Sequence, residues 1–261
     1  MSRPSFDLKL DWAYKHLERA EAAIERYLSP GNKAYEVTPD KEGEPAKLAF
    51  WLTLLKEPPD CISLMAGDCI HNARTSLDHI VYAISSKRKP NPGDTSFPIQ
   101  SEPADWDRRI QGSTLAKGSG KYQVRLLPCR ARTIIKNQQP WKGLDQLHPE
   151  RGRLKALRGM DIADKHKKLN LAVAYLDATG YGAFSEEFLP WHDTMNRGPL
   201  QLNTPILALR FDPIPKMQMH PKPKLAVTFS EGGTGDEPVV GKLSELLGCV
   251  ERILTELRRF V

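Results

Sequence analysis

Three widely separated stretches carry apolar residues at alternating spacings of three and four, and that pattern is the strongest constraint on how this chain can fold. Near the start the stripe is Leu10, Ala13, Leu17, Ala20, Ile24 and Leu28. Between residues 60 and 86 it is Ile70, Ala73, Leu77, Ile80, Val81 and Ile84. Near the end it is Leu243, Leu246, Leu247, Val250, Ile253, Leu254 and Leu257. An α-helix turns by about 100° per residue, so each set falls on one side of a helix, and a helix with one apolar side must bury it against a partner. The expectation is a bundle of helices at about 6–28, 60–86, 143–170 and 238–260. Pro30 and Gly31 stop the first helix, and Asp60, after Pro58 and Pro59, is placed to cap the second.

Strand signals lie elsewhere. KLAFWLTLLKEPPD, residues 47 to 60, reads as a strand closed by its prolines, and the segment of about 171–230 holds LAVAYL, PILALRF and KLAVTF between proline-rich turns. Helices in runs and strands in runs define an α+β fold, here a helical bundle with a small, mainly antiparallel sheet packed at one side, in a single composite domain of residues 1–261. Four prolines in SSKRKPNPGDTSFPIQSEP, residues 85 to 103, predict an irregular surface loop. Residues 106 to 110 read as a short helix and 112 to 121 as a flexible Gly/Ser-rich connection. Residues 122 to 142 begin strand-like and end in a polar, proline-broken segment.

With 40% apolar and 27% charged residues the chain is expected to fold as a soluble protein. Its formal net charge of +6 favours an acidic partner such as nucleic acid. Cys61, Cys69, Cys129 and Cys249 form no CxxC pair and sit in apolar surroundings, as buried free thiols in a reducing cytoplasm would. No apolar run approaches the length of a membrane span, and the N-terminus lacks the apolar core of a signal peptide, so no membrane partner is expected.

The side of the second helix opposite its apolar stripe is unusual. His71, Arg74, Thr75 and Asp78 share it, with Gly67 and Asp68 one turn earlier and His79 at its border, one i,i+4 step from Thr75. A solvated helix face is normally filled with Lys and Glu, which are good helix formers, whereas His, Asn, Arg, Thr, Ser and Asp are mostly poorer ones. A structural network would account for them if Arg74 and Asp78 form an i,i+4 ion pair and the histidines satisfy buried carbonyls. A second cluster, Asp161, Asp164, Lys165 and His166 with Lys167 and Lys168, reads alone as a solvated basic turn or helix end. A pair of helices could bring the two clusters together.

The motif GDCIHNARTSLDHIVYAI, followed by FPI at residues 97 to 99, QP at 139 to 140 and DKHKKL at 164 to 169, resembles a group of uncharacterised bacterial and phage proteins with the pattern GDxLHNLRSALDHL, then FPI, then DKHR. The resemblance spans most of residues 60 to 170 and brings no activity with it. Arg74 and His79 also resemble the R-x4-6-H motif of HEPN-type helical ribonucleases, in which variants such as LRNALEH occur. Thr75 follows the arginine where asparagine is commoner. That resemblance implies metal-independent action on RNA across a dimer interface, often in toxin or antiphage systems. His79 would then be the general acid or base for 2'-OH attack and Arg74 would stabilise the phosphorane. His71 and Asp78 would orient them, and Asn72, Asp164, Lys165 and His166 would bind substrate. RNA and a second copy of the chain are the expected partners, with no cofactor and no metal.

Two other classes compete. One is a non-enzymatic scaffold or interaction protein whose His/Arg/Asp cluster is a structural network. The other is a metal-dependent hydrolase in which His71, Asp78 or His79, and His166 hold the ion, although no HxxxH or HExxH spacing supports it. GxSxG, GxGxxG and Walker loops are absent, and GSGK at 118 to 121 lacks the spacing of a P-loop.

Overall fold

A computed structural model describes residues 3–39, 47–143, 150–179, 191–195, 200–210, 222–230 and 237–261. In chain order these form α1 (Ser5–Leu28), β1 (Tyr35–Pro39), β2 (Lys47–Leu55), α2 (Asp60–Ser86), α3 (Pro103–Trp106), β3 (Arg109–Ile110), β4 (Thr114–Leu115), α4 (Gly120–Gln123), α5 (Cys129–Asn137), α6 (Glu150–His166), β5 (Leu171–Thr179), β6 (Trp191–Met195), β7 (Pro205–Arg210), β8 (Lys222–Phe229) and α7 (Val239–Arg258). The fold is α+β. The chain divides into two compact units, the first made of Met1–Arg19, Leu64–Leu169 and Val240–Val261, the second of Ala20–Ser63 and Asn170–Val239.

The first unit is helical and is held by the stripes read from the sequence. Phe6, Leu10, Ala13 and Leu17 of α1 are buried, as are all six stripe residues of α2, Leu154 and Leu157 of α6, and all seven stripe residues of α7. Each fully buried Leu or Ile contributes about 1.5–3 kcal/mol relative to exposure. Burial of its whole apolar stripe fixes the rotation of α2 about its axis, and with it the direction of the polar side.

Two local expectations change in this unit. The segment of residues 122 to 142 is helical rather than strand-like at its start, because its buried residues, Val124, Leu127, Ala131 and Ile135, recur at three and four rather than at two. The short helix expected over residues 106 to 110 is displaced to α3, with Pro103 at its first turn. The chain then reverses through Gln111 and Gly112, both at positive φ, into the β3–β4 hairpin.

Of the segment expected as a loop, residues 87 to 102 are irregular, as the prolines require, yet its end lies inside the unit: Phe97, Ile99 and Gln100 are buried. A buried loop has to satisfy its backbone polar groups, and side chains do so here. The Gln139 side chain, fully buried, donates from Nε2 to the carbonyls of Pro98 (2.8 Å) and Ile135 (3.0 Å) and accepts at Oε1 from the Gln100 amide (2.9 Å).

The second unit holds a four-stranded antiparallel sheet in the order β1-β2-β7-β6 and a two-stranded antiparallel ribbon of β5 and β8. The strand expected at residues 47 to 60 is β2; LAVAYL and KLAVTF fall in β5 and β8, and PILALR, the described part of PILALRF, forms β7. β1 and β6 carried no clear signal. The α1 stripe ends here on Tyr27 rather than Leu28: the Tyr27 ring is buried, and its hydroxyl donates to the Lys56 carbonyl at 2.5 Å. Among the described residues no helix is long and apolar enough to cross a membrane. None of the four cysteines is in a disulfide; Cys69 and Cys249 are buried as expected, whereas Cys61 and Cys129 are exposed at the first turns of α2 and α5.

Candidate functional site

The polar side of α2 opens into a cleft of about 460 Å³ within the first unit. α2 contributes His71, Arg74, Thr75 and Asp78. α6 contributes Arg158, Asp161, Ile162 and Lys165. The extended segment Phe97 to Gln100 forms a third wall, and Asp105, Arg108, Gly118 and Gln123 complete the lining.

Arg74 and Asp78 form the expected i,i+4 pair, with Nη1 donating to Oδ1 at 2.7 Å, and both side chains then grip the third wall. Arg74 Nη2 donates to the Phe97 carbonyl at 2.8 Å, and Asp78 Oδ1 accepts from the Phe97 amide at 2.8 Å. Two residues along, Arg158 Nη1 donates to the Ile99 carbonyl at 2.8 Å. In an extended chain residues i and i+2 point the same way, so this side of the segment faces the helices while Pro98 and Gln100 turn to Gln139.

The clusters on α2 and α6 meet. Asp161 is buried, its Oδ2 accepts from Lys165 Nζ at 2.6 Å, and its Oδ1 lies 3.5 Å from Nδ1 of the exposed His71. That Oδ1 is fully buried and has no hydrogen bond. A buried carboxylate oxygen is costly without a donor, so a small shift of the imidazole toward it would be favourable. One turn back on α2, the side chain that Gly67 lacks is replaced by the Asp164 carboxylate: a Cβ there would stand 2.0 Å from Oδ1. From Gly67 to His71 the partners on α6 run backward from Asp164 to Asp161, so the two helices are antiparallel. Burial raises the Asp164 pKa above its usual value, helped by the charges of Asp68 and Asp161 and opposed by His71 and Lys165.

Of the residues expected at a site, His71, Arg74, Asp78 and Lys165 line the cleft. His79 does not: five helical residues rotate it about 140° from Arg74, and its Nδ1 is buried without a hydrogen bond. Asn72 is turned away too, with Oδ1 accepting from Lys9 at 3.1 Å and Nδ2 donating to the Asp68 carbonyl at 2.8 Å. Asp164 sits over Gly67 rather than in the cleft, and His166 is exposed outside it. Arg158 was missed, although Arg158, Asp161 and Lys165 stand at i, i+3 and i+7 and form a polar stripe like that of α2. The walls from Phe97 to Gln100, Arg108 and Gln123 carry no comparable signal.

The cleft sets Arg74, Arg108, Arg158 and Lys165 against Asp78, Asp105 and Asp161, an excess of one positive charge with His71 neutral. This mixture suits a polar ligand carrying an anionic group. Among the described residues no three His, Cys, Asp or Glu side chains are grouped to hold a metal ion. No protein-family model, curated protein or solved structure matches the chain.

Proposed function

We propose that the cleft binds RNA and acts on its phosphodiester backbone without a metal ion, with His71 rather than His79 as the general acid–base group. Arg74 and Arg158 stabilise the charge that builds on the phosphorane, and Lys165 holds Asp161 in place behind the imidazole. One observation carries this reading: His71 has a buried carboxylate behind Nδ1 and stands in the same polar cleft as the guanidinium groups of Arg74 and Arg158. A proton on Nδ1, facing Asp161, leaves Nε2 as the base. The net charge of +6 agrees with a polyanionic substrate. A homodimer and a toxin or antiphage setting belong to the same reading.

The test is cleavage of labelled oligoribonucleotides in EDTA by wild type, His71→Ala and His79→Ala. Cleavage abolished by His71→Ala and retained by His79→Ala is expected; no cleavage by wild type refutes the proposal.

A second reading, a non-enzymatic scaffold, draws support from the way Arg74 and Asp78 are engaged with Phe97. On that reading both are structural and His71→Ala has no catalytic consequence to measure.

A further inference from the structure

Thr75 differs from four other hydroxyl-bearing residues of the helices. Ser76, Ser86, Thr133 and Thr255 each donate to a backbone carbonyl three or four residues back, which is the ordinary behaviour of such side chains in a helix. Thr75 instead has its Oγ1 3.5 Å from His71 Nε2, while Nδ1 of the same ring lies 3.5 Å from Asp161 Oδ1. Hydroxyl, imidazole and buried carboxylate thus stand in series, with the hydroxyl on the cleft lining. Contacts of this kind are commonly long before a substrate is bound.

We infer that Thr75 is the nucleophile of the cleft. The inference rests on the reading of the site as one that acts on RNA, and it assigns the attacking oxygen to the protein rather than to the substrate 2'-OH. Thr75 Oγ bonds to phosphorus as its proton passes to His71 Nε2. The P–O5' bond breaks, and the departing 5'-oxygen takes that proton. Water then gives a proton to Nε2 and its oxygen attacks phosphorus, and Thr75 Oγ leaves with the proton. The sum is phosphodiester plus water giving a phosphomonoester and an alcohol. Asp161 does not touch substrate; it is a positioning residue for the imidazole. Because no step uses a 2'-OH, the substrate class widens to single-stranded nucleic acid with either sugar.

The experiment compares an oligoribonucleotide with the same sequence lacking 2'-hydroxyls, cut by wild type, Thr75→Ser and Thr75→Val in EDTA, with melting temperatures recorded. Expected are cleavage of both substrates by wild type, a loss of at least about 100-fold for both in Thr75→Val, and retention within about tenfold in Thr75→Ser. Thr75→Val is close in shape, so an unchanged melting temperature separates chemistry from folding. Cleavage of the ribo substrate alone overturns the assignment of Thr75 and leaves the RNA reading standing. Wild-type rates in Thr75→Val do the same. No cleavage of either substrate by wild type overturns both.

Discussion

Replacing Arg74 by methionine, which keeps the length and apolar stem of the side chain but removes the guanidinium, should cost the first unit about 1.5–4 kcal/mol. Two bonds disappear. The pair with Asp78 is partly solvated, with side-chain exposures of 18% and 35%, so its loss is worth about 0.5–1 kcal/mol. The second loss is larger: the Phe97 carbonyl is left without its donor beside a fully buried ring, at about 1–3 kcal/mol. Asp78 still accepts from the Phe97 amide, so the loop keeps one of its two anchors on α2. Urea unfolding followed by circular dichroism measures the effect, with Asp78→Asn and the double variant closing a cycle. Asp78→Asn should cost less than Arg74→Met, because an amide oxygen still serves the Phe97 N–H. A loss below about 0.5 kcal/mol in Arg74→Met would refute the argument that this arginine braces the buried loop.

Two more substitutions test neighbouring parts of the structure. Gln139→Met should destabilise by about 2–4 kcal/mol, since the buried Gln100 amide and Pro98 carbonyl lose their partners together, and thermal melting would reveal it. Asp164 has a folded pKa above its ordinary 3.8, so its stabilising contribution is present below that pH and is lost as pH rises through the folded value. Asp164→Asn should therefore melt higher than wild type at pH 7, and the advantage should vanish near pH 3; equal melting at pH 7 would contradict the raised pKa.

The bundle was legible because burial on one side of a helix leaves a period that local sequence alone displays, as the stripes of α2 and α7 do. β2, β5, β7 and β8 were legible for the corresponding reason in strands. What escaped was decided by partners distant in sequence. FPIQ looks like a surface loop until Gln139, Arg74 and Arg158 are seen to satisfy its backbone, and no local pattern announces donors about 20 to 60 residues away. The site was half legible. The polar side of α2 named His71, Arg74 and Asp78, but the R-x4-H spacing drew attention to His79, which helical rotation carries away from Arg74. The importance of Asp161 came from the packing of α6 on α2, and that in turn depends on one glycine.

A glycine inside a helix costs about 1 kcal/mol relative to alanine, so Gly67 weakens α2 on its own account. In exchange the two helices can touch where a single methyl group would hold them apart. Two carboxylates of α6 are measured from that point: Asp164 rests on it, and Asp161, one turn away, inherits its distance from His71. Gly67 therefore acts as the spacer gauge of the cleft, an empty position whose emptiness calibrates the approach of His71 and Asp161 one turn further on. A methyl group added there would leave every polar side chain of the cleft in the sequence and still change the distances between them.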